Sequence, residues 1–306
     1  MPTGKPIVVA GSINMDLVAT AARIPAVGET ILGSGFRVHP GGKGANQAVA
    51  VARLGYPVQV IGRLGRDSFG AQLRAHMESA GVDCSGIAAS DGPSGVAVIL
   101  VSDKGENCIV VAPGANALVM PQDLDACLTM IRQAGVVLAQ LEIPLETIEH
   151  LASLCRRENV PLILDPAPAR TLPPEILRNA AWFTPNETEA AFYARTQTTP
   201  ESTAQILLEQ GCRGVILKLG SRGAYLSSLP GEGMHIPAFP VHAVDTVAAG
   251  DAFNGAFATG LMLGKSPEEA ARFASAAAAI SVTRAGAQPS MPSMGEVEEL
   301  LAKYPA

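Results

Sequence analysis

Runs of basic residues are missing from this chain. Its 22 Lys and Arg are scattered among 28 Asp and Glu, leaving a formal net charge of −6. Nucleic acid or an anionic membrane needs a concentrated positive patch, so neither is an expected partner. No apolar stretch reaches the length of a membrane span, and no signal-peptide core precedes the strand-like Ile7–Ala10. A cytoplasmic chain is therefore expected. Paired cysteines are missing too. Cys84, Cys108, Cys127, Cys155 and Cys212 are odd in number and widely spaced. That fits reduced thiols in a cytoplasm-like compartment and argues against a zinc site. The five histidines are equally dispersed, so no structural metal is expected. There is no Gly-x-x-x-x-Gly-Lys-Ser/Thr loop, no dinucleotide fingerprint after the first strand, no nucleophile elbow and no zincin His pair. Dehydrogenase and serine hydrolase chemistry thereby lose their support.

What remains is a chain of 306 residues, 48% hydrophobic and 16% charged, long enough for a large core. Short apolar runs at Ile7–Ala10, Val58–Ile61, Val96–Val101, Val136–Leu141, Leu162–Leu164 and Val215–Leu219 read as strands. Amphipathic segments at Ala45–Leu54, Phe69–Ala80, Pro121–Gln133, Leu145–Arg156, Thr203–Gln210, Ala252–Met262 and Pro267–Thr283 read as helices. This alternation predicts an α/β fold: a mostly parallel sheet flanked by helices on both faces. The Ala274–Ala279 run reads as close helix packing, because small side chains let backbones approach.

Two regions interrupt the alternation. Asp16 to Val38 mixes Gly, Pro and β-formers, and Ser94 to Val111 reads as a hairpin around Asp103–Asn107. A small β-sheet lid from segments around 13–40 and 94–111, on a single domain spanning 1–306, is expected. Standing off the body, it would expose Val96, Val98, Leu100 and Ile109 unless a second copy covered them, which predicts a homodimer through the lid.

The most informative stretch is Asp245-Thr-Val-Ala-Ala-Gly-Asp251, which feeds an apolar helix pattern. A tight loop entering a helix presents free N–H groups that attract anions. Asp251 sits in the first turn, where a carboxylate can take a proton from a hydroxyl attacking phosphate. A second glycine cluster, Gly41-Gly-Lys-Gly-Ala-Asn-Gln47, opens another helix; it is either a plain turn or a close backbone approach to a polyhydroxyl ligand, with Lys43 and Asn46 supplying polar groups. Asn14 and Asp16 follow the first strand, and Glu142 ends another, where α/β proteins bind ligands. Turn or surface roles are the alternative for all three. Asn186 and Glu189 form a capping box, or orient hydrated magnesium and nucleotide phosphate. Leu219–Gly223 is an ordinary hairpin or one wall of a nucleotide site. Asp245 alone reads as a loop cap.

Together these pieces resemble the ribokinase family of carbohydrate kinases, also called the PfkB family, over nearly the whole chain. Gly41–Gln47 resembles its early signature and Asp245–Asp251 its late one. Gly11–Asp16, Gln140–Glu142, Asp165–Ala169, Asn186–Glu189, Leu219–Gly223 and Thr283–Ser290 fall in the family's order. The resemblance implies ATP-dependent phosphorylation of D-ribose at its 5-hydroxyl. Asp251 would be the base, with an anion hole at the N–H groups of Val247, Ala248, Ala249 and Gly250. Asn14, Asp16, Gly42, Lys43, Asn46, Glu142 and Asp251 would hold the sugar. Asn186, Lys218, Gly220, Ser221, Gly223, Gly250 and Ser275 would face ATP. Magnesium would be held through water near Asn186 and Glu189. Potassium would sit among Asp245, Val247, Ser281, Arg284, Gly286 and Ser290, mostly on backbone carbonyls. The sequence departs from the family's habit at Ala248, commonly Gly, at Lys218, often a small polar residue, and at Ser275, frequently His or Asn. A kinase for 2-deoxyribose, fructose or adenosine, or a non-catalytic sugar sensor, stays open on the residues alone.

Overall fold

In a computed structural model describing residues 4–229, 231 and 233–305, the apolar runs line up as parallel strands. In chain order these are β1 (Ile7–Ala10), β2 (Asn14–Ala21), β3 (Gly35–Gly41), β4 (Val58–Gly65), β5 (Asp83–Ser90), β6 (Gly95–Ser102), β7 (Asn107–Ala112), β8 (Val136–Gln140), β9 (Leu162–Asp165), β10 (Trp182–Phe183), β11 (Gly214–Lys218), β12 (Ala224–Ser228) and β13 (Met234–Ile236). Nine of them form one sheet in the order β13-β12-β11-β10-β9-β8-β1-β4-β5. Every pairing from β5 to β11 is parallel, and only the β11–β12 and β12–β13 pairings are antiparallel.

The strands are continuously apolar because both faces are covered. Ile7, Val9, Val136 and Leu138 enter the core on one face, while Val8, Ala10, Val137 and Ala139 enter the other. Helices Lys43–Arg53, Ala249–Met262 and Pro267–Ser281 pack on the first face through small residues. A Cβ on Gly255 would lie 2.7 Å from that of Ala50, and one on Gly260 3.0 Å from Ala270. Glycine on helix Ala249–Met262 therefore lets Ala50 and Ala270 of its two neighbours come close. The helix expected over Pro121–Gln133 is interrupted: Cys127, at φ −98° and ψ 15°, separates Pro121–Ala126 from Leu128–Gln133. No helix among the described residues is long and apolar enough to cross a membrane.

A second, four-stranded sheet has the order β3-β2-β6-β7. Its register puts Val38, Leu17, Val98 and Val110 in one cross-strand row, and Phe36, Ala19, Leu100 and Cys108 in the next-but-one. Directly opposed residues share a face, so one face is apolar and the other carries Asp16. Phe36, Val38, Val98 and Val110 on the apolar face are exposed. The register corrects one expectation: Ile109 opposes Ile99 and points to the Asp16 face, and Val110 takes its place beside Val98. Val96 and Leu100 are only half-exposed.

Candidate active site

The carboxyl ends of β1, β8, β9 and β11 point to one crevice, and the residues just beyond them build the site. Helix Lys43–Arg53 starts hard against the chain leaving β1. Gly42, at φ 87°, makes this possible: a Cβ there would lie 2.7 Å from Asn14 N and 2.9 Å from Ser12 O. Lys43 N then donates to Glu142 Oε2 at 3.3 Å, and Ser12 Oγ donates to the same oxygen at 2.5 Å. Asn14 is buried, its Oδ1 accepting from Asn116 Nδ2 at 2.7 Å. Asp16 lies against Gly41. Burial, then the charges of Glu142 and Asp251, push its carboxyl up to about 7.

Helix Ala249–Met262 begins after Ala248, which sits in the left-handed region at φ 58° and forms the N-cap. Asp251, in the first turn, is 4% exposed. Its Oδ2 accepts from Asn46 Nδ2 at 3.0 Å and its Oδ1 from Gln47 Nε2 at 3.1 Å. Burial pushes its pKa up and Asp165 adds to this; Lys43 and the two amides offset only part. Lys43 is opposed by burial, yet Asp251, Asp165, Glu142 and Glu189 together hold its ammonium above the usual lysine range. Of the loop's donors, Val247 N binds Asp245 Oδ1 at 2.9 Å and Ala249 N binds Thr246 O at 3.3 Å. Among the described residues, the N–H groups of Ala248, Gly250 and Asp251 have no protein partner. Ala248 and Gly250 thus keep the expected free donors, Val247 and Ala249 do not, and Asp251 adds one.

Beyond Asp251 opens a cavity of about 600 Å³ whose walls include Asn186, Lys218, Gly220, Ser221, Gly223, Gly250 and Ser275. These are the seven residues expected to face ATP. Ser275 Oγ is buried without a protein partner. The Leu219–Gly223 segment joins antiparallel β11 and β12, so it is both a hairpin turn and a cavity wall. Asn186 and Glu189 also satisfy both readings. Asn186 Oδ1 accepts from Glu189 N at 2.9 Å, and Glu189 Oε2 from Asn186 N at 2.8 Å, while both residues line the cavity. Burial raises the Glu189 pKa against the pull of Lys218.

Of the residues expected to hold the sugar, Lys43 and Asp251 are among the walls of that cavity while Asn14, Asp16, Gly42, Asn46 and Glu142 are not; Asn46 reaches Asp251, and the charges of Glu142 and Asp251 both act on Asp16. Asp245, Val247 and Gly286 meet through one carboxylate: Asp245 Oδ2 accepts from Gly286 N at 2.8 Å, and its Oδ1 takes Val247 N. Ser281 and Ser290 are buried, with hydroxyls donating to Ala278 O and Ala287 O. Arg284 turns away to pair with Glu296, whose carboxyl it holds down to about 2.

Further residues, to which the sequence motifs assign no role, complete the site. Asp165 Oδ1 accepts from Lys218 Nζ at 2.8 Å and its Oδ2 from Gln47 Nε2 at 3.0 Å. Gln140 Nε2 donates to Gln47 Oε1 at 2.7 Å, and Gln288 Nε2 to Asn46 Oδ1 at 3.1 Å. Asp165, Gln47, Gln140 and Gln288 each stand inside one of the family-like motifs. Asn116 stands in none; its Gly114-Ala-Asn-Ala context reads simply as loop.

Residues 5–294 match the family described as pfkB family carbohydrate kinase. A ribokinase of Bacillus subtilis (strain 168) is 42% identical over 301 residues, covering 97% of this chain and 99% of the relative. The crystal structure of a ribokinase from Thermotoga maritima superposes with a TM-score of 0.91 at 41% identity, covering 97% of this chain and 99% of that one. The structure of Arabidopsis thaliana ribokinase complexed with ribose and ATP gives a TM-score of 0.92 at 36% identity, covering 98% and 99%. The same α/β sheet with its small second sheet is thus shared along almost the full length, and the chain belongs to the pfkB family of carbohydrate kinases and is a sugar kinase.

Proposed function

We propose that the chain transfers the γ-phosphoryl group of ATP to the 5-hydroxyl of D-ribose, giving ribose 5-phosphate and ADP. The observation that carries this is the position of Asp251: a buried carboxylate at a helix N-terminus that lines a cavity of nucleotide size and accepts from Asn46. The ribokinases matched over full length support ribose as the sugar. Asn14, Asp16, Gly42, Lys43, Asn46 and Glu142 hold and orient the ring. The 5-hydroxyl proton passes to the Asp251 carboxylate as its oxygen attacks phosphorus. The free N–H groups of Ala248 and Gly250, with that of Asp251, receive the negative charge of the moving phosphoryl. Catalysis then rests on positioning and charge stabilisation.

Magnesium fits the walls near Asn186 and Glu189, whose oxygens suit a hydrated ion. When bound it neutralises charge on the triphosphate. Potassium fits the Asp245–Val247 and Ser281–Ser290 loops. The Asp245 carboxylate already draws them together, and Arg284, the nearest competing cation on those loops, is tied to Glu296. A cation there would stiffen the loop that carries the anion hole. The small sheet acts as a lid on a single catalytic domain. Its apolar face, with Phe36, Val38, Val98 and Val110 exposed, suits burial against a second copy. Five free thiols, three of them buried, fit a reducing, cytoplasm-like compartment.

The test is a kinetic panel of D-ribose, 2-deoxyribose, fructose and adenosine with ATP, products identified by phosphorus NMR. Ribose is expected to give the highest kcat/KM, with the phosphate on O5. A higher value for another acceptor refutes the ribose reading, and no turnover with any of them favours a sensor.

A further inference from the structure

Two carboxylates in this site share one amide. Gln47 Nε2 lies 3.0 Å from Asp165 Oδ2 and 3.1 Å from Asp251 Oδ1. Carboxylates only accept, so the amide nitrogen faces both, and Gln140 holds it there by donating to Gln47 Oε1 at 2.7 Å. The remaining oxygen of Asp165 is taken by Lys218 Nζ at 2.8 Å. A relay therefore runs Lys218, Asp165, Gln47, Asp251. Its middle is buried, with Asp165 1% and Gln47 0% exposed.

The outer end opens on the nucleotide cavity. Lys218 lines it, and a Cβ on Gly250 would sit 3.3 Å from the ammonium. The ammonium thus stands beside the first turn of helix Ala249–Met262, where an anion drawn to the free N–H groups of Gly250 and Asp251 would meet it. A buried carboxylate and an incoming polyphosphate compete for the same cation. An ammonium is a compact point charge on a flexible stem, suited to changing partners.

Building on the phosphoryl-transfer reading above, we propose that the phosphates of the bound nucleotide draw Lys218 away from Asp165, and that Gln47 passes this exchange on to Asp251. Once Asp165 loses this ammonium, Lys43 offsets only part of its charge, and Asp251 faces a more negative neighbour across the shared amide. That makes the Asp251 carboxylate a better proton acceptor, and it occurs only with nucleotide in place. Lys218 contacts the phosphates; Asp165 and Gln47 are positioning residues. The device is specific to a lysine at the end of β11, since a small polar side chain there carries no charge to exchange.

The test compares two substitutions at opposite ends of one ion pair, by calorimetry with adenosine and a non-hydrolysable ATP analogue and by steady-state kinetics. Lys218→Thr is expected to weaken the analogue at least about tenfold and adenosine less than about twofold. Asp165→Asn is expected to keep analogue affinity and to lower kcat about tenfold, since the exchange no longer leaves a charge beside Gln47. The double substitution buries no unpaired charge, which covers misfolding of a single variant, and is expected to show both defects. Equal weakening of adenosine and analogue by Lys218→Thr overturns the proposal, as does a kcat unchanged by Asp165→Asn. A wild-type chain that binds the analogue in this Lys218-dependent way but leaves ribose unphosphorylated refutes the ribose reading alone, and kcat is then read with the acceptor that is turned over.

Discussion

Replacing Gly42 by alanine should separate the close approach that builds the sugar side from the ordinary strain of a left-handed residue. Gly42 has φ 87° and ψ 131° at the N-cap of helix Lys43–Arg53. A Cβ there meets Asn14 N at 2.7 Å, Ser12 O at 2.9 Å and Ile13 Cα at 3.0 Å, all backbone. The positive φ costs a non-glycine residue about 1–2 kcal/mol. Pushing a Cβ into packed backbone adds about 1–3 kcal/mol. Gly42→Ala is therefore expected to destabilise by roughly 2–5 kcal/mol, a large share of the ~5–15 kcal/mol that holds a domain folded. Gly55 is the control: it has φ 73°, and nothing lies within 4 Å of its Cβ position. Gly55→Ala should show the backbone cost alone, about 1–2 kcal/mol. The assay is urea unfolding with unchanged slope, read with ribose KM. Because Lys43 N and Asn14 move with the clash, only Gly42→Ala should raise KM. Equal destabilisation by the two substitutions would refute the argument that this contact sets the site.

Other outcomes follow from the charge and the exposed surfaces. Asp16, pushed up to about 7, is protonated in mild acid and an ionised acceptor above neutrality, so ribose KM should fall from about pH 6 to about pH 8 and lose that dependence in Asp16→Asn. Stability runs the other way: the folded chain holds this proton more tightly than the unfolded one, so the contribution is full in acid and is lost as pH rises through about 7. Asp16→Asn should consequently be the more stable form at alkaline pH, by about 2 kcal/mol once the full shift is discounted for solvent screening at a half-exposed site. The paired substitution Val98→Lys and Val110→Lys should give a monomer by light scattering where the parent is a dimer; a parent that is already monomeric at micromolar concentration contradicts the lid interface. Potassium titrated into a tetramethylammonium buffer at constant ionic strength should raise activity more than sodium or lithium, and Asp245→Ala should abolish the response; a flat titration of the parent removes the cation from the account.

The main sheet was legible because its strands are buried on both faces and so read as unbroken apolar runs, Ile7–Ala10 and Val136–Gln140 most plainly. β5 was not: Asp83–Ser90 is an edge strand of small and polar residues whose exposure alternates. β10 has two residues and exists only through its neighbours. The second sheet could be seen as β-structure, but its register could not, since Ile109 and Val110 are equally apolar and only pairing to β6 decides which faces outward. In the site, residues whose role is local were readable: Asp251 in a first turn, Asn186 and Glu189 in a capping box, Gly42 before a helix. Residues defined by distant partners were not. Asn116 meets Asn14 across 102 positions, and Gln47 meets Asp251 across 204. A buried amide takes its meaning from what the fold brings to it, and nothing in its flanking residues names that partner.

Asp251→Asn tests the central claim most directly. The amide keeps the shape and the place at the helix N-terminus but cannot take the hydroxyl proton. Turnover of ribose with ATP should fall by about 10²–10⁴, while calorimetric affinities for ribose and for an ATP analogue stay within about threefold of the parent. A kcat within about threefold of the parent would contradict the assignment of Asp251 as the base, whatever else in the site survived.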